Sequence, residues 1–159
     1  MLERDFWSAP AENGTPRNMT RTDGVFERSP SWSPDGKLIA YFSDDSGEYE
    51  LYTMPADGKG GAEMSEPTRI TKDGAAFRTA ITWAPDSKAV VLQDKAGNID
   101  LVRLEDGATT RIDTNPEAPR PVSISFSHDS RYITWSRSCD QTQLEAIYIH
   151  DTKAADPAK

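Results

Sequence analysis

Few side chains in this sequence have the types and spacing that catalysis requires. Serines, aspartates and two histidines, His128 and His150, could form a Ser-His-Asp triad, but the sequence contains no G-x-S-x-G nucleophile elbow. His128 stands inside a turn-like phrase and His150 ends a strand-like run, so we expect ordinary structural positions for both. Two histidines without a spaced carboxylate partner also make a poor zinc site. We therefore expect no catalytic residue and no metal ligand in this chain.

Two further segments resemble ligand-binding loops only superficially. Asp44–Glu48 is acidic, but it lacks the alternating carboxylate spacing that wraps a calcium ion, so it predicts a β-turn. Gly58–Gly61 is rich in glycine, but it lacks the residue order of a phosphate-binding loop and predicts a flexible connection. Cys139 is the single cysteine, which excludes an intrachain disulfide. We expect no cofactor.

The most informative pattern is a short phrase that occurs three times. In order, it consists of an aromatic residue, a small residue, proline or histidine, aspartate, a small residue and a basic residue. The three copies are Trp32–Lys37, Trp83–Lys88 and Phe126–Arg131. Self-similarity at roughly 40–50 residues is typical of the blades of a β-propeller.

Each phrase predicts a tight hairpin between two strands. Proline presets φ, and Asp35, Asp86 and Asp129 can each bond the backbone two residues further on. Gly36 accepts a positive φ. The aromatic residues are expected to form core between blades, because they supply the large apolar area that lets sheets stack. They are Trp32, Trp83 and Phe126 of the three phrases, together with Trp135 of the strand-like run after the third phrase.

The segments between the phrases predict four strands per repeat, a to d from the inside out. Apolar runs such as Leu38–Ser43 follow each phrase, then an alternating strand such as Tyr49–Met54, then a short polar strand such as Thr68–Thr71. The fold class predicted is all-β, a partial β-propeller of four-stranded antiparallel blades, two complete and two incomplete. The predicted segments are strands c–d in 1–22, blades in 23–72 and 73–114, an incomplete blade in 115–152 and a polar tail in 153–159.

Composition restricts the partners that the chain is expected to have. The 159 residues include 36% hydrophobic and 28% charged residues, enough apolar content for a packed core. The net charge of −8 disfavours nucleic acid, because an acidic surface repels phosphate. No apolar run reaches 18 residues and the first residues lack the pattern of a secretory signal. We expect no membrane association and a cytoplasmic location, or a periplasmic one if a parent protein carries a signal peptide.

The residues around the first phrase resemble a known family. Ser31–Tyr41 is similar to the PD40 repeat, the WD40-like repeat of TolB-type propellers. Together with Pro16–Thr22 and Glu27–Trp32, the run from Tyr41 to Tyr52 resembles tricorn-type serine proteases, in the early part of their second, seven-bladed propeller. The third copy of the phrase departs from the pattern, with Phe126 for tryptophan and His128 for proline.

This resemblance implies a non-catalytic propeller segment of a tricorn-like peptidase. Such a segment would serve as a scaffold or a peptide-access gate for a serine-protease domain that lies elsewhere in the parent protein. The expected partners are the remaining blades, that catalytic domain and peptides, and the open ends of the fragment are expected to self-associate. Two alternatives stand beside this hypothesis: a PD40/TolB-like protein-binding propeller, and the propeller of a prolyl-oligopeptidase-type enzyme.

Overall fold

The regular elements of the protein are all strands in the residues that the computed structural model describes, which are 5–10, 12–56, 66–74, 77–115, 122–139 and 144–154. These residues form thirteen strands. In chain order the strands are β1 Trp7–Ser8, β2 Arg17–Asn18, β3 Glu27–Trp32, β4 Leu38–Ser43, β5 Glu50–Pro55, β6 Thr68–Arg69, β7 Arg78–Trp83, β8 Ala89–Asp94, β9 Asn98–Arg103, β10 Thr109–Thr114, β11 Ile124–Phe126, β12 Tyr132–Cys139 and β13 Leu144–Asp151.

The strands pair antiparallel with their sequence neighbours in four sheets. The first sheet is β1–β2, the second is β3 to β6, the third is β7 to β10, and the fourth is β11 to β13. This arrangement confirms the predicted fold class: two four-stranded blades and two incomplete ones. The chain divides into two compact units, Met1–Ala75 with the first two sheets and Ala76–Lys159 with the other two.

Most predicted strands differ from the observed ones by only a residue or two at their ends. β4 occupies Leu38–Ser43, as predicted, because β-branched and aromatic side chains favour a strand that is covered on both faces. The main difference lies at Arg137, where the sequence predicts a polar loop but β12 continues to Cys139. Pairing with β13 explains the extension. Every residue of β12 has a partner on β13, from Tyr132 opposite Asp151 to Cys139 opposite Leu144.

In the first unit, the core lies between the first and second sheets. Tyr41 of β4 stacks on Tyr52 of β5 with ring centroids 5.9 Å apart, and Phe6 meets the Tyr41 ring edge-on at 5.3 Å. Met19 is buried in the same cluster, beside Ile39 and Met54. Aromatic contacts of this kind stabilise a core by about 0.5–1.5 kcal/mol beyond the burial of their area.

In the second unit, the third and fourth sheets share a core. Val91 of β8 and Ile99 of β9 are buried with Ile133 and Trp135 of β12. Further apolar residues pack around these four, namely Leu101, Ile112, Val122, Ile124, Phe126 and Tyr148. Gln93 adds a polar contact, because its side chain accepts a hydrogen bond from the Val122 N–H at 2.7 Å and donates one to the Val122 carbonyl at 3.0 Å.

Candidate functional site

The repeated phrase forms a compact hairpin in which the aspartate accepts the backbone N–H two residues further on in each copy. In the first copy, the Ser33 hydroxyl donates to Asp35 at 2.6 Å, and the same aspartate accepts the Lys37 N–H at 3.1 Å. In the third copy, Ser127 and Arg131 make the corresponding bonds to Asp129, at 2.6 and 3.1 Å. These donors, the Ser127 hydroxyl first, hold the pKa of Asp129 below its usual range.

The second copy keeps the turn with fewer bonds. Asp86 accepts the Lys88 N–H at 3.0 Å, and its own N–H donates to the Ser130 hydroxyl at 3.0 Å. The residue after each aspartate lies in the left-handed region, with φ of 70° at Gly36, 61° at Ser87 and 60° at Ser130. Each aspartate therefore fixes a turn through one carboxylate oxygen, Oδ1.

The two histidines lie apart from these hairpin bonds. His128 is exposed at the tip of the third hairpin, and His150 is half-buried on β13, opposite Ile133. No group of three histidine, cysteine, aspartate or glutamate side chains in the described ranges could hold a metal ion. In the same ranges no helix is long and apolar enough to cross a membrane. The glycine-rich segment Gly58–Gly61 lies outside the described residues.

The four aromatic residues that were expected to form core do not share one environment, and the sequence-based prediction is wrong for Trp32. Trp135 is 5% exposed in the core of the second unit, and Phe126 packs against that core. Trp83 is half-buried. Trp32, in contrast, is 55% exposed. The reason is geometric, because Trp32 lines an open cavity in the first unit instead of contacting a covering strand.

Trp32 forms part of the lining of an apolar cavity in the first unit. This cavity has a volume of about 490 Å³ and lies between the first and second sheets. Phe6, Met19, Ile39 and Met54 form its buried or half-buried part, whereas Trp7 and Trp32 are exposed. The other lining residues are Asp5, Ser8, Ala9 and Pro30. Clefts of roughly 300–1,000 Å³ with such apolar linings are typical binding sites.

A carboxylate network adjoins the cavity through Asp5. Asp5 accepts hydrogen bonds from the Asn18 amide at 2.5 Å and from the Thr20 hydroxyl at 3.4 Å. The Thr22 hydroxyl bridges Asp5 at 3.4 Å and Glu27 at 3.1 Å. Glu27 is 3% exposed, and burial raises the pKa of its carboxyl; the nearby Asp5 charge adds to the rise, whereas hydrogen bonds from Thr20 and Thr22 oppose it. This network links the first sheet to the start of β3.

A second buried carboxylate, Glu50 on β5, is fully satisfied. The Arg69 guanidinium of β6 lies 3.1 Å from the carboxylate. The Thr71 hydroxyl donates a hydrogen bond to the same carboxylate, and so does the Gly74 N–H, at 2.8 Å. A buried charge with such partners binds strands together and has little capacity left for a ligand. We assign Glu50 a structural role.

Trp135 is held at the junction of the two sheets of the second unit. Its indole N–H donates to Asp113 of β10 at 2.8 Å, and its ring stacks on Tyr148 at 5.8 Å. The Arg137 guanidinium lies 3.0 Å from the same aspartate and 4.5 Å from the Tyr148 ring centroid. The cavity beside this cluster measures about 10 Å³, which leaves room for about one water molecule and is too small for a substrate.

The outer face of the fourth sheet carries exposed aliphatic side chains. Ile147 and Ile149 of β13 are 78% and 67% exposed, and they lie opposite Ser136 and Thr134 of β12. The alternate residues of β13, such as Tyr148, face the core. Exposed isoleucines on one face of a strand mark a surface that fits an apolar partner.

Sequence reasoning identified the hairpins but missed the cavity and the Glu27 network. Nothing in the spacing of Phe6, Met19 and Trp32 predicts that they line one space, because they come from two sheets. The available signal was the assignment of residues 1–22 to strands c and d, which places these residues beside the second sheet.

The amino-acid sequence is similar to parts of larger proteins. No protein-family model matches the chain. It is 32% identical over 81 residues to dipeptidyl-peptidase 5 of Aspergillus fumigatus, and 23% identical over 141 residues to the uncharacterized peptidase YuxL of Bacillus subtilis. These matches cover 49% and 81% of this chain, but the chain spans only 10% and 19% of the two relatives.

Solved structures show the same fold. TolB from Acinetobacter baumannii superposes with a TM-score of 0.62 and 21% identity, over 92% of this chain and 35% of that one. The tricorn protease superposes with a TM-score of 0.63 and 17% identity, over 86% of this chain and 13% of that one. At these identities the likeness establishes the propeller fold and leaves the activity to be argued separately.

Proposed function

We propose that this chain is the non-catalytic propeller segment of a larger, tricorn-like peptidase, in which it acts as a scaffold or a peptide-access gate. The observation that carries the proposal is the match over 81% of the chain to a protein named as a peptidase, of which the chain spans 19%. A second relative is also named as a peptidase. The hairpin phrases support this role, since their aspartates fix turns.

The scaffold role rests on the outer face of the fourth sheet. Ile99 and Leu101 lie opposite Gln93 and Val91 on the third sheet, and both pack in the core shared with the fourth sheet. On the fourth sheet, the positions that correspond to Ile99 and Leu101 are occupied by Ile147 and Ile149, which lie opposite Ser136 and Thr134. By this equivalence, the exposed isoleucines would be covered by a further blade of the parent protein.

The second candidate is a PD40/TolB-like binding propeller, favoured by the superposition with TolB over 92% of the chain. The two candidate functions can be distinguished by reading the gene sequence on both sides of the segment that encodes this chain. Further blades followed by PDZ-like and serine-peptidase domains would support the tricorn-like parent. An α/β-hydrolase domain with a G-x-S-x-G elbow would indicate a prolyl-oligopeptidase-type parent. A single propeller behind a periplasmic leader would support the TolB-like module and contradict the proposal.

A biochemical test complements this comparison. The purified 159-residue chain should not hydrolyse fluorogenic peptides, whereas the complete parent protein should. A parallel preparation from the same host without the gene serves as the control for contaminating peptidases. Hydrolysis by the isolated chain that exceeds this control in repeated preparations would contradict a non-catalytic role.

A further inference from the structure

We propose that the apolar cavity of the first unit is a socket for a β-strand, filled by an extended segment of the same type as β8 that pairs with β1. This inference rests on the proposed role of the chain as one segment of a larger propeller. It specifies the type of strand that would pair with β1 in that propeller. The cavity is lined by Trp32 and Pro30 of β3, Ile39 of β4, Met54 of β5 and residues from the first sheet.

The internal repeat shows what belongs in this place. Trp32 and Phe126 hold the same position in the phrase, and Pro30 corresponds to Ile124 in the same way. Further along, Ile39 corresponds to Ile133 and Tyr41 to Trp135, and the cross-strand partners Tyr52 and Tyr148 correspond as well. The lining of the cavity is therefore the counterpart of a surface that is covered in the second unit.

In the second unit, the third sheet covers this surface with three of its strands. Val91 comes from β8, Ile99 and Leu101 from β9, and Ile112 from β10. In the first unit, Phe6, next to β1, and Met19, next to β2, take the places of the side chains from β9 and β10. The side chain that would correspond to Val91 is missing from the described contacts, and the cavity of about 490 Å³ lies beside Trp32 where it would pack.

The edge of the first sheet is suited to receive such a strand. Among the described strands, β1 pairs only with β2. In the third sheet, the equivalent strand β9 pairs on its second edge with β8 in an antiparallel register. Addition of a strand to an exposed edge uses backbone hydrogen bonds for affinity and alternate side chains for specificity. The occupant is therefore an extended strand antiparallel to β1, with a β-branched aliphatic side chain directed into the cavity.

The experiment uses the complete 159-residue chain and a labelled synthetic peptide of residues 77–95, the hairpin of β7 and β8. In the chain, the two ends of this hairpin are joined by a hydrogen bond from the Lys95 N–H to the Phe77 carbonyl at 2.9 Å. We expect saturable binding in fluorescence anisotropy, and at least a tenfold loss of affinity when Val91→Asp is placed in the peptide. The matched control is a Val90→Asp peptide, which carries the same charge on the opposite face and should bind much better than the Val91→Asp peptide.

Variants of the chain locate the binding site. Trp32→Ala should weaken binding of the unmodified peptide at least tenfold; because Trp32 is largely exposed, this variant should keep its circular dichroism spectrum. Ile147→Lys on the outer face of the fourth sheet should leave binding unchanged. Hydrogen exchange of the Trp7 and Ser8 amides should slow when the peptide is added.

Three outcomes would overturn the inference: no saturable binding to the folded chain, equal losses for the Val91→Asp and Val90→Asp peptides, or a loss with Ile147→Lys but none with Trp32→Ala. Self-association of the chain that Trp32→Ala abolishes, without peptide binding, would also overturn it by assigning the cavity to a second copy. None of these results depends on the presence of a peptidase domain in the parent protein. The inference and the proposed function can therefore fail independently.

Discussion

Single residues decide whether the hairpins and turns of this protein close. The aspartates of the repeated phrase accept backbone hydrogen bonds two residues further on, and the following residue adopts a positive φ. Glycine meets this requirement without the clash that a Cβ causes in the left-handed region. The same requirement becomes stricter where another strand approaches the glycine.

Gly97 shows this stricter case and gives a prediction. Its φ is 81°, and a Cβ added to it would lie 2.0 Å from the Asn115 carbonyl oxygen, so backbone would have to move. Gly97→Ala should therefore lower the free energy of unfolding by well over the roughly 1–2 kcal/mol that a left-handed conformation alone costs. Gly36→Ala is the matched control, with a φ of 70° and open space around the added Cβ. Equal losses for the two variants in urea unfolding would contradict the steric part of the argument.

Glu27 gives a prediction about pH. Burial raises the pKa of this carboxyl above its ordinary value of 4.5, so the folded state binds a proton that the unfolded state releases. The contribution of Glu27 to stability is therefore fully present below pH 4.5 and is lost as the pH rises through the raised pKa. In Glu27→Gln this loss should be absent, so the variant should gain stability relative to the natural protein between about pH 4.5 and pH 7.

The measurement for Glu27 is urea unfolding of both proteins at several pH values across that range. Asp5 is present in both proteins, and its own contribution cancels to the extent that it is independent of Glu27. A difference in unfolding free energy between the two proteins that stays constant with pH would contradict the argument, because it would show that the pKa of Glu27 is the same in the folded and unfolded states.

At the scale of elements, the contact between two sheets in the second unit depends on Trp135. The ring is buried, stacks on Tyr148 and donates a hydrogen bond to Asp113 on the neighbouring sheet. Trp135→Ala should lower the free energy of unfolding by about 3–5 kcal/mol, as is usual for truncation of a large core aromatic residue. Thermal and urea unfolding would measure the effect.

The matched control is Trp32→Ala, which removes the same side chain from an equivalent blade. Because Trp32 is 55% exposed, its truncation should cost much less than that of Trp135. A loss at Trp32 equal to that at Trp135 would show that Trp32 is covered in solution, for example by a second copy of the chain.

At the scale of the whole molecule, exposed apolar surface should govern association. Ile147 and Ile149 lie on one face of β13, largely exposed, and Trp32 lines the open cavity of the first unit. Surfaces of this kind are rarely left uncovered in soluble monomers. We therefore expect the isolated chain to self-associate with increasing concentration, in sedimentation or light-scattering measurements.

A double substitution tests which surface is responsible. Ile147→Lys combined with Ile149→Lys should shift the chain towards the monomer, because charged side chains on this face resist burial. Glu145→Lys, at an exposed position on the same strand, serves as the control for added positive charge and should have a smaller effect. Unchanged association of the double variant would exclude this face as the site of contact.

The sequence by itself determined the repeat, the hairpins and the strand type, because period, turn chemistry and β-branched runs act over a few residues. Leu38–Ser43 and the three phrase aspartates illustrate this, since their structure follows from their nearest neighbours in the chain. Only the tertiary structure decided which aromatic residues are buried. Trp32 and Phe126 hold the same position in the phrase, but burial depends on strands contributed by distant segments, so Phe126 packs against a core and Trp32 lines a cavity.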